Sequence, residues 1–328
     1  MIPDRASLDR FARDLDALFA RDARVGIAVS GGPDSLALLL LAAAVRPGAI
    51  AAATVDHKLR AQSAAEARAV ADICGRLGVP HSILVAEWAA VPTAALQERA
   101  RSERYRLLDR WAGEARLAAV LTAHHADDQA ETLLMRLNRG AGVRGLGAMR
   151  PSARVPGSER ALLRPLLGWR RAELERLCAE AGAEPANDPS NTDPTFERVR
   201  VRRALAGADW LDPAAMADSA AHLADADEAL DWATDQAWQS SAATEDQSVT
   251  LRPGQLPHEI RRRLAARAVG QLASEGDGEI LRGRELDRLL GELEAGRTAT
   301  LRGVACSGGA QWRFVAAPKR TRPVDKSR

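Results

Sequence analysis

The 328-residue chain is poor in several things that whole classes of protein require. Its three cysteines, Cys74, Cys178 and Cys306, are too scattered for a disulfide framework or for a CxxC-type zinc, redox or iron–sulfur site, so a reducing cytoplasm is the expected compartment. The longest apolar run, Leu36 to Val45, falls well short of the roughly 18 residues that a membrane helix needs. The opening MIPDRASLDRFARDLD contains acids and no apolar segment, which argues against a secretory signal. Neither a membrane partner nor export is expected. Lysine is nearly missing as well: three Lys (Lys58, Lys319 and Lys326) stand against 43 Arg, with a single tyrosine. That imbalance fits a compositional bias toward Arg and Ala, so the net charge of +2 neither requires nor excludes a nucleic-acid partner. Only local clusters of arginine carry information.

What is present is ordinary for a soluble globular chain of about two domains, with 46% hydrophobic and 27% charged residues. Short apolar runs alternate with helical patterns over the first two-thirds. Strands are expected at Val25 to Val29, Ile50 to Val55, Val79 to Val85 and Leu117 to Leu121. Helices are expected at about 34–45, 63–77, 93–115, 127–138 and 165–181, the second opened by a Ser63-x-x-Glu66 capping box. Strand–helix alternation of this kind implies α/β architecture with a doubly wound, mostly parallel sheet. Turn-formers dominate Glu184 to Pro194, the arginine-rich FERVRVRR follows, and the first domain is placed at 1–210. Residues 211–317 read as a smaller, mainly helical domain. It has helical patterns at Pro213 to Trp238, Pro257 to Ala273 and Glu285 to Glu294, a polar linker at Ser240 to Ser248, and a final strand pair, Thr298 to Val304 and Gln311 to Ala316. The tail 318–328 is expected to be disordered.

The most informative string is AVSGGPDS, Ala28 to Ser35, between a buried strand and a helix. Gly31 and Gly32 let the backbone approach an anion closely, the following helix offers its positive end, and Ser30 and Ser35 add hydroxyl donors. Pro33 suits the first helical turn. A plain βα turn would account for the glycines and proline but not for the serines and Asp34 around them. No Lys follows the glycines, so this is not a Walker loop. Asp34 is the oxygen ligand best placed for Mg²⁺ bridging phosphates, with helix capping as its competing role. Asp56 and His57 close the second strand, where a doubly wound sheet places ligand contacts. Asp128 and Glu131, three apart at a helix start, share one face and could hold or deprotonate an amine, or could simply cap the helix. His124 and His125 are consecutive and point apart, which disfavours a zinc site.

These strings resemble the N-type ATP pyrophosphatase (PP-loop, Rossmann-like) family, which splits ATP between its α- and β-phosphates. SGGPDS is similar to its SGGxDS loop. Within that family, Val55 to Arg60 resembles VDHxLR of the tRNA(Ile)-lysidine synthetase branch, and Gln97 to Tyr105 resembles QExARxxRY. Ala123 to Thr132 resembles AHHxDDQxET, and Arg139 to Leu146 resembles RGxGxxGL. Asn187 to Asn191, with Arg198 and Arg202, resembles the DPSN…RNxxR region. The likeness spans about residues 24–205. Val199 stands where that pattern has Asn.

The resemblance implies a ligase that uses ATP and Mg²⁺ to join free L-lysine to C2 of the wobble cytidine of a CAU-anticodon tRNA(Ile), through an adenylated cytidine, with release of AMP and pyrophosphate. It implies Asp34, Asp128, Glu131 and Arg198 as catalytic residues. Ser30 to Ser35, Asp56, His57 and His124 are implied for ATP, and Arg139, Arg200 and Arg202 for tRNA. The second domain is implied to grip the tRNA. A monomer and a homodimer both stay open. A tRNA thiolation enzyme on the same fold is the alternative within the family, a small-molecule amide synthetase is another, and a non-catalytic nucleotide- or RNA-binding module is the alternative outside it.

Overall fold

Val25, Gly26 and Ile27 form β1 (Val25–Ala28) at the centre of a six-stranded sheet, because a short β-branched run flanked by turn residues has two neighbours against which to bury both its faces. The structure, a computed structural model, describes residues 3–59, 62–88, 96–186, 193–273 and 283–316. The motif residues Asn187 to Asn191 and Arg60, and the tail expected to be disordered, lie outside those residues. The chain divides into two compact units at Ala224/Asp225, inside a long helix where no change of composition marks the point.

The first unit opens with α1 (Arg5–Asp16), capped by the Asp4 carboxylate, which accepts from the Ser7 amide (3.0 Å). After β1 come α2 (Pro33–Val45), β2 (Ile50–Asp56), α3 (Ser63–Leu77), β3 (His81–Val85), α4 (Leu96–Glu114), β4 (Ala119–Leu121) and α5 (Ala126–Asn138). Then follow the short α6 (Val143–Leu146), β5 (Ser152–Arg154), β6 (Ala161–Leu163), α7 (Arg171–Glu180) and α8 (Glu197–Ala206). The strand order is β3-β2-β1-β4-β6-β5, parallel throughout except for β5 at the edge.

Alternation along the strands sorts the core into two layers. Val25, Ile27, Ile50, Ala119 and Leu121 pack with the leucines of α2, with Val70 and Ile73 of α3, and with Leu174 and Leu177 of α7. Ala51, Ala53, Val120 and Leu162 face Tyr105, Leu108 and Trp111 of α4 on the other side. The sheet is therefore doubly wound, as the pattern implied. On the first face, α1 braces α7: Trp169, just before α7, donates from Nε1 to Asp14 (2.8 Å), Arg10 lies over its ring at 4.2 Å, and Arg10 pairs with Glu173 (2.9 Å).

Three local expectations change. The helix expected over 165–181 begins only at Arg171, and β5 and β6 precede it; three-residue strands are too short to show an alternation. At α3 the N-cap is Gln62, and Ser63 instead donates to Asp56 at the end of β2 (2.6 Å), so that hydroxyl serves the site rather than a capping box. FERVRVRR, whose alternating arginines would fit a strand or a helix, runs from the N-cap Phe196 into α8.

The second unit takes in the later part of α9 (Pro213–Ser241), with β7 (Ala242–Glu245), β8 (Ser248–Leu251), α10 (His258–Leu272), α11 (Gly283–Glu294), β9 (Thr298–Leu301), β10 (Val304–Ser307) and β11 (Trp312–Ala316). It is helical and sheet in similar measure: the expected polar linker is the β7–β8 hairpin, part of a five-stranded antiparallel sheet ordered β7-β8-β11-β10-β9. β7 is an exposed edge, which is why it reads as polar. Trp312 and Phe314 pack with Leu289, Leu290 and Leu293 of α11 and Leu264 of α10. No helix among the described residues is long and apolar enough to cross a membrane.

Gly26 fixes how closely α4 approaches the central strand, since a Cβ there would lie 2.6 Å from the Trp111 ring. Gly26→Ala is expected to destabilise the chain by about 1–3 kcal/mol through overpacking, read as a lower denaturation midpoint at unchanged m-value; an unshifted midpoint would contradict the close approach.

Candidate active site

The turn after β1 is built by glycine geometry. Gly31 has φ +87°, a conformation that a side chain rarely allows, and Gly32 is the N-cap of α2, with Pro33 in the first turn. Asp34 is thus inside the helix rather than its cap. Ser35 Oγ donates to the Gly32 carbonyl (2.9 Å) and accepts from the Ser30 amide (3.1 Å), and the two hydroxyl oxygens are 3.2 Å apart. The Ala186 amide donates to Gly31 O (2.9 Å), and Cys178 Sγ donates to Pro33 O (3.2 Å). The loop is therefore held on both sides with the N-terminus of α2 behind it, the arrangement that receives an anion.

The next two strand ends bring further groups to the same edge. At β2, Asp56 accepts from the Lys58 amide (2.8 Å) and from Ser63. His57 has both ring nitrogens buried without a hydrogen-bond partner, its carbonyl accepts from Trp88 Nε1 (2.8 Å), and the two rings stack at 6.4 Å. Burial, with the nearby Arg104 charge, pushes the His57 pKa down. At β4 the two histidines part, as alternation requires. His124 is half-buried, with Nδ1 3.0 Å from Thr122 Oγ1. His125 is fully buried and caps α5: the Asp128 amide donates to its ring (3.4 Å), while Asp128 Oδ2 accepts from the His125 amide (3.2 Å). The capping box is thus His125–Asp128, not Asp128–Glu131.

Three carboxylates surround that ring. Nε2 lies 3.5 Å from Asp34 Oδ2 and 3.5 Å from Asp128 Oδ2, and Nδ1 lies 3.6 Å from Asp127 Oδ2. Burial would lower the His125 pKa, but Asp34 and Asp128, each 3.5 Å from Nε2, outweigh it and raise it. Burial would likewise raise the Asp128 carboxyl, yet the charges of His125, His124 and Arg198 hold it below the ordinary range. Asp127 is turned to α7, accepting from the Arg171 amide (2.8 Å) and from the Arg170 guanidinium (3.3 Å). Asp34 keeps one buried oxygen, Oδ1, without a partner.

Glu131, one turn along α5, is 1% exposed and committed to arginine. Arg202 donates from Nε (2.7 Å) and Nη2 (3.3 Å), Arg171 approaches at 3.4 Å and Arg198 at 3.5 Å. Arg198 and Arg202 reach it together because they are four apart on α8. Arg198 also donates to Thr132 (3.3 Å). Of the other arginines singled out in the sequence, Arg139 is ion-paired with Glu197, and Arg200 donates to the carbonyls of Pro194 and Thr195 (3.1 and 2.9 Å). Val199 is buried.

The structure therefore brings together the Ser30–Ser35 loop, His125 and Asp128, with Glu131, Arg198 and Arg202 beside Asp128, and sets Arg139 and Arg200 apart from that cluster. Sequence reading missed Trp88, Arg170 and Arg171. Nothing distinguishes the arginine pair before α7 from the others in an arginine-rich chain, and Trp88 lies outside every motif.

His124 is the titration to follow. Burial, against the opposing pull of Asp128 and reinforced by Arg164, Arg101 and Arg198, takes its pKa from the ordinary histidine value of 6.5 down to about 4. A native-state value below the unfolded one means that the unfolded chain binds the proton first as pH falls, so this group's contribution to stability is lost between about 6.5 and 4. The imidazole Cε1–H resonance of His124, assigned with a His124→Gln control, is expected to shift only near pH 4. A midpoint near 6.5 would show an open, solvated ring.

The PP-loop domain family matches residues 6–208. A tRNA(Ile)-lysidine synthase of Novosphingobium aromaticivorans is 50% identical over 314 residues, covering 94% of each chain, and one of Zymomonas mobilis is 42% identical, covering 92% of this chain and 91% of that one. Among solved structures, the U34-tRNA thiolase of Methanococcus maripaludis, described with its [4Fe-4S] cluster, has a TM-score of 0.55 at 16% identity over 67% of this chain and 78% of that one, a likeness of fold alone. With a matched domain over most of its length and relatives of this identity and coverage, the chain belongs to the PP-loop ATP-binding family and, within it, to the tRNA(Ile)-lysidine synthases.

Proposed function

We propose that the chain is a cytoplasmic ATP-dependent ligase that joins free L-lysine to C2 of the wobble cytidine of a CAU-anticodon tRNA(Ile), through an adenylated cytidine, releasing AMP and pyrophosphate. The observation that carries this reading is the His125 ring, which lies 3.5 Å from Asp34 on the nucleotide side and 3.5 Å from Asp128 on the acceptor side. Both half-reactions would then use one cleft.

Ser30 to Ser35 would bind the triphosphate, with the α2 N-terminus and the loop amides oriented toward the charge that builds on the departing pyrophosphate. Asp56, His57 and His124 would line the nucleotide from the neighbouring strand ends. Asp34 Oδ1, an oxygen without a partner, fits a hard cation. Among the described residues no group of three or more His, Cys, Asp or Glu could hold a metal, so Mg²⁺ here would draw its other ligands from phosphate and water. When bound, Mg²⁺ would offset negative charge on the phosphate oxygens.

Asp128 would pair with the lysine ε-ammonium and take its proton, because an ammonium cannot attack carbon. Glu131, enclosed by three arginines, would orient Arg198 and Arg202 rather than touch the amine. Arg139 and Arg200, both exposed, suit RNA phosphates, and Arg202 would reach RNA only while keeping its bond to Glu131. Residues 211–317 would grip the tRNA body. A thiolation reaction is poorly served. Cys74, Cys178 and Cys306 are free and buried, and burial pushes each thiol up to about 11, away from the thiolate that sulfur transfer needs.

Incubation with ATP, labelled lysine and a CAU-anticodon transcript is expected to place label in RNA and to yield AMP and pyrophosphate; ADP and orthophosphate would refute the scheme. Asp128→Ala is expected to lower lysine transfer by about a hundredfold or more, while loss of its cap costs only about 1 kcal/mol of stability. Near-normal turnover would return Asp128 to capping alone.

A further inference from the structure

Among the described residues three arginines are buried, and two of them have carboxylates. Arg46 pairs with Asp16 (2.7 Å), and Arg263 pairs with Asp227 (2.6 Å) and Asp231 (2.7 Å). Arg164 is the exception. It is 8% exposed, Nη1 donates to the Arg150 carbonyl (2.7 Å), Nε is buried with no partner, and no carboxylate among the described residues reaches it. It follows β6 directly, and β6 pairs with β4, whose own end carries His124, so Arg164 stands at the carboxyl edge of the sheet on the side away from β2. Arg101 of α4 lies over the Tyr105 ring (5.0 Å) and also has no carboxylate partner among the described residues. The charges of Arg164 and Arg101 bear on each other and on His124. Cations gathered without counter-charge, one of them desolvated, are costly unless an anion arrives.

We propose that Arg164, with Arg101 beside it, takes the α-carboxylate of the free amino acid that the ligase consumes. The proposal rests on the lysine reading above. That reaction brings three kinds of anion to the protein. The triphosphate is received after β1, two strands away from β6. RNA phosphodiesters carry a ribose on either side and need open cations, whereas Arg164 is nearly closed to solvent. A free carboxylate is small, planar and matched to a guanidinium fork. Lysine also carries opposite charges at the two ends of a short chain, so its site needs an acid and a base apart from one another. Asp128 and Arg164 supply that pair, and both act on the same His124 ring. The amine end alone would not separate lysine from 1,5-diaminopentane, which has the same amine and no carboxylate; the Arg164 site would.

The test measures KM for lysine at saturating ATP and transcript for the wild type, Arg164→Lys, Arg164→Met and Arg101→Met, and repeats it with 1,5-diaminopentane. Equilibrium dialysis of labelled lysine runs in parallel. Expected for the methionine variants are a lysine KM and dissociation constant raised about tenfold or more, a matching fall in the preference for lysine over 1,5-diaminopentane, and KM values for ATP and tRNA within about twofold of wild type. Arg164→Lys, which keeps the charge but loses the fork, is expected to fall between. An unchanged lysine KM, or a rise confined to tRNA or ATP, would overturn the proposal and return the arginines to RNA or nucleotide. Arg101 is exposed, so Arg101→Met keeps the test decisive should Arg164→Met fail to fold. A wild type that binds lysine through these arginines yet ligates none would refute the functional reading and leave this site standing; a wild type that does not bind lysine would refute both.

Discussion

The His125 ring, closed to solvent and facing Asp34, Asp127 and Asp128 within 3.6 Å, fixes the distance between two helix N-termini, those of α2 and α5. Each of those termini carries partial positive charge and would accept a carboxylate in its first turn unaided. Three carboxylates drawn to one place would repel one another, and the imidazole between them, with Asp127 turned to Arg170 and the Arg171 amide, holds them apart. The glycine turn precedes α2 and Asp128 sits on α5, so the spacing between the two ends of the proposed site is set by one side chain. Around it the polar groups fall into two sets. Asp127 and Glu131 are bound by arginines of α7 and α8, whereas Asp34 retains an unpartnered oxygen.

Much of this was legible in the sequence because the informative residues are local. Gly31, Pro33 and Ser35 declare their turn within six positions, and the alternation of β1, β2 and β4 with helices is strong enough to specify a parallel sheet. The unreadable parts are those decided by distant partners. Ser63 looks like a cap and serves Asp56; Glu131 looks like a free acid and is ringed by arginines that follow it by 40 to 71 residues. Short strands were lost for a related reason: β5 and β6 have three residues each, and only their pairing makes them strands. β7 reads as a linker because an edge strand exposed to water has a polar sequence.

The scarcity of lysine gives the arginines an unusual burden. Nearly every cation that orients a carboxylate or could meet a phosphate here is a guanidinium, a group that stays charged and whose planar fork sets direction as well as attraction. Around Glu131 this allows three cations to share one acid at different angles. The same property makes Arg164 informative: among the described residues the other two buried arginines, Arg46 and Arg263, meet acids, and one that meets none is poised for something that arrives from outside.

Through α7, the brace formed by α1 bears on the arginines that meet the carboxylates of α5. Arg10, Asp14 and Trp169 clamp the start of α7 from behind, and that start presents Arg170 and Arg171 to Asp127 and Glu131. A helix that contributes no atom to the chemistry thus acts as a backstop for the guanidinium shell. Loosening it would blur the aim of those arginines while leaving the glycine turn untouched, so the amino-terminal segment belongs to the working mechanism as scaffolding belongs to an arch.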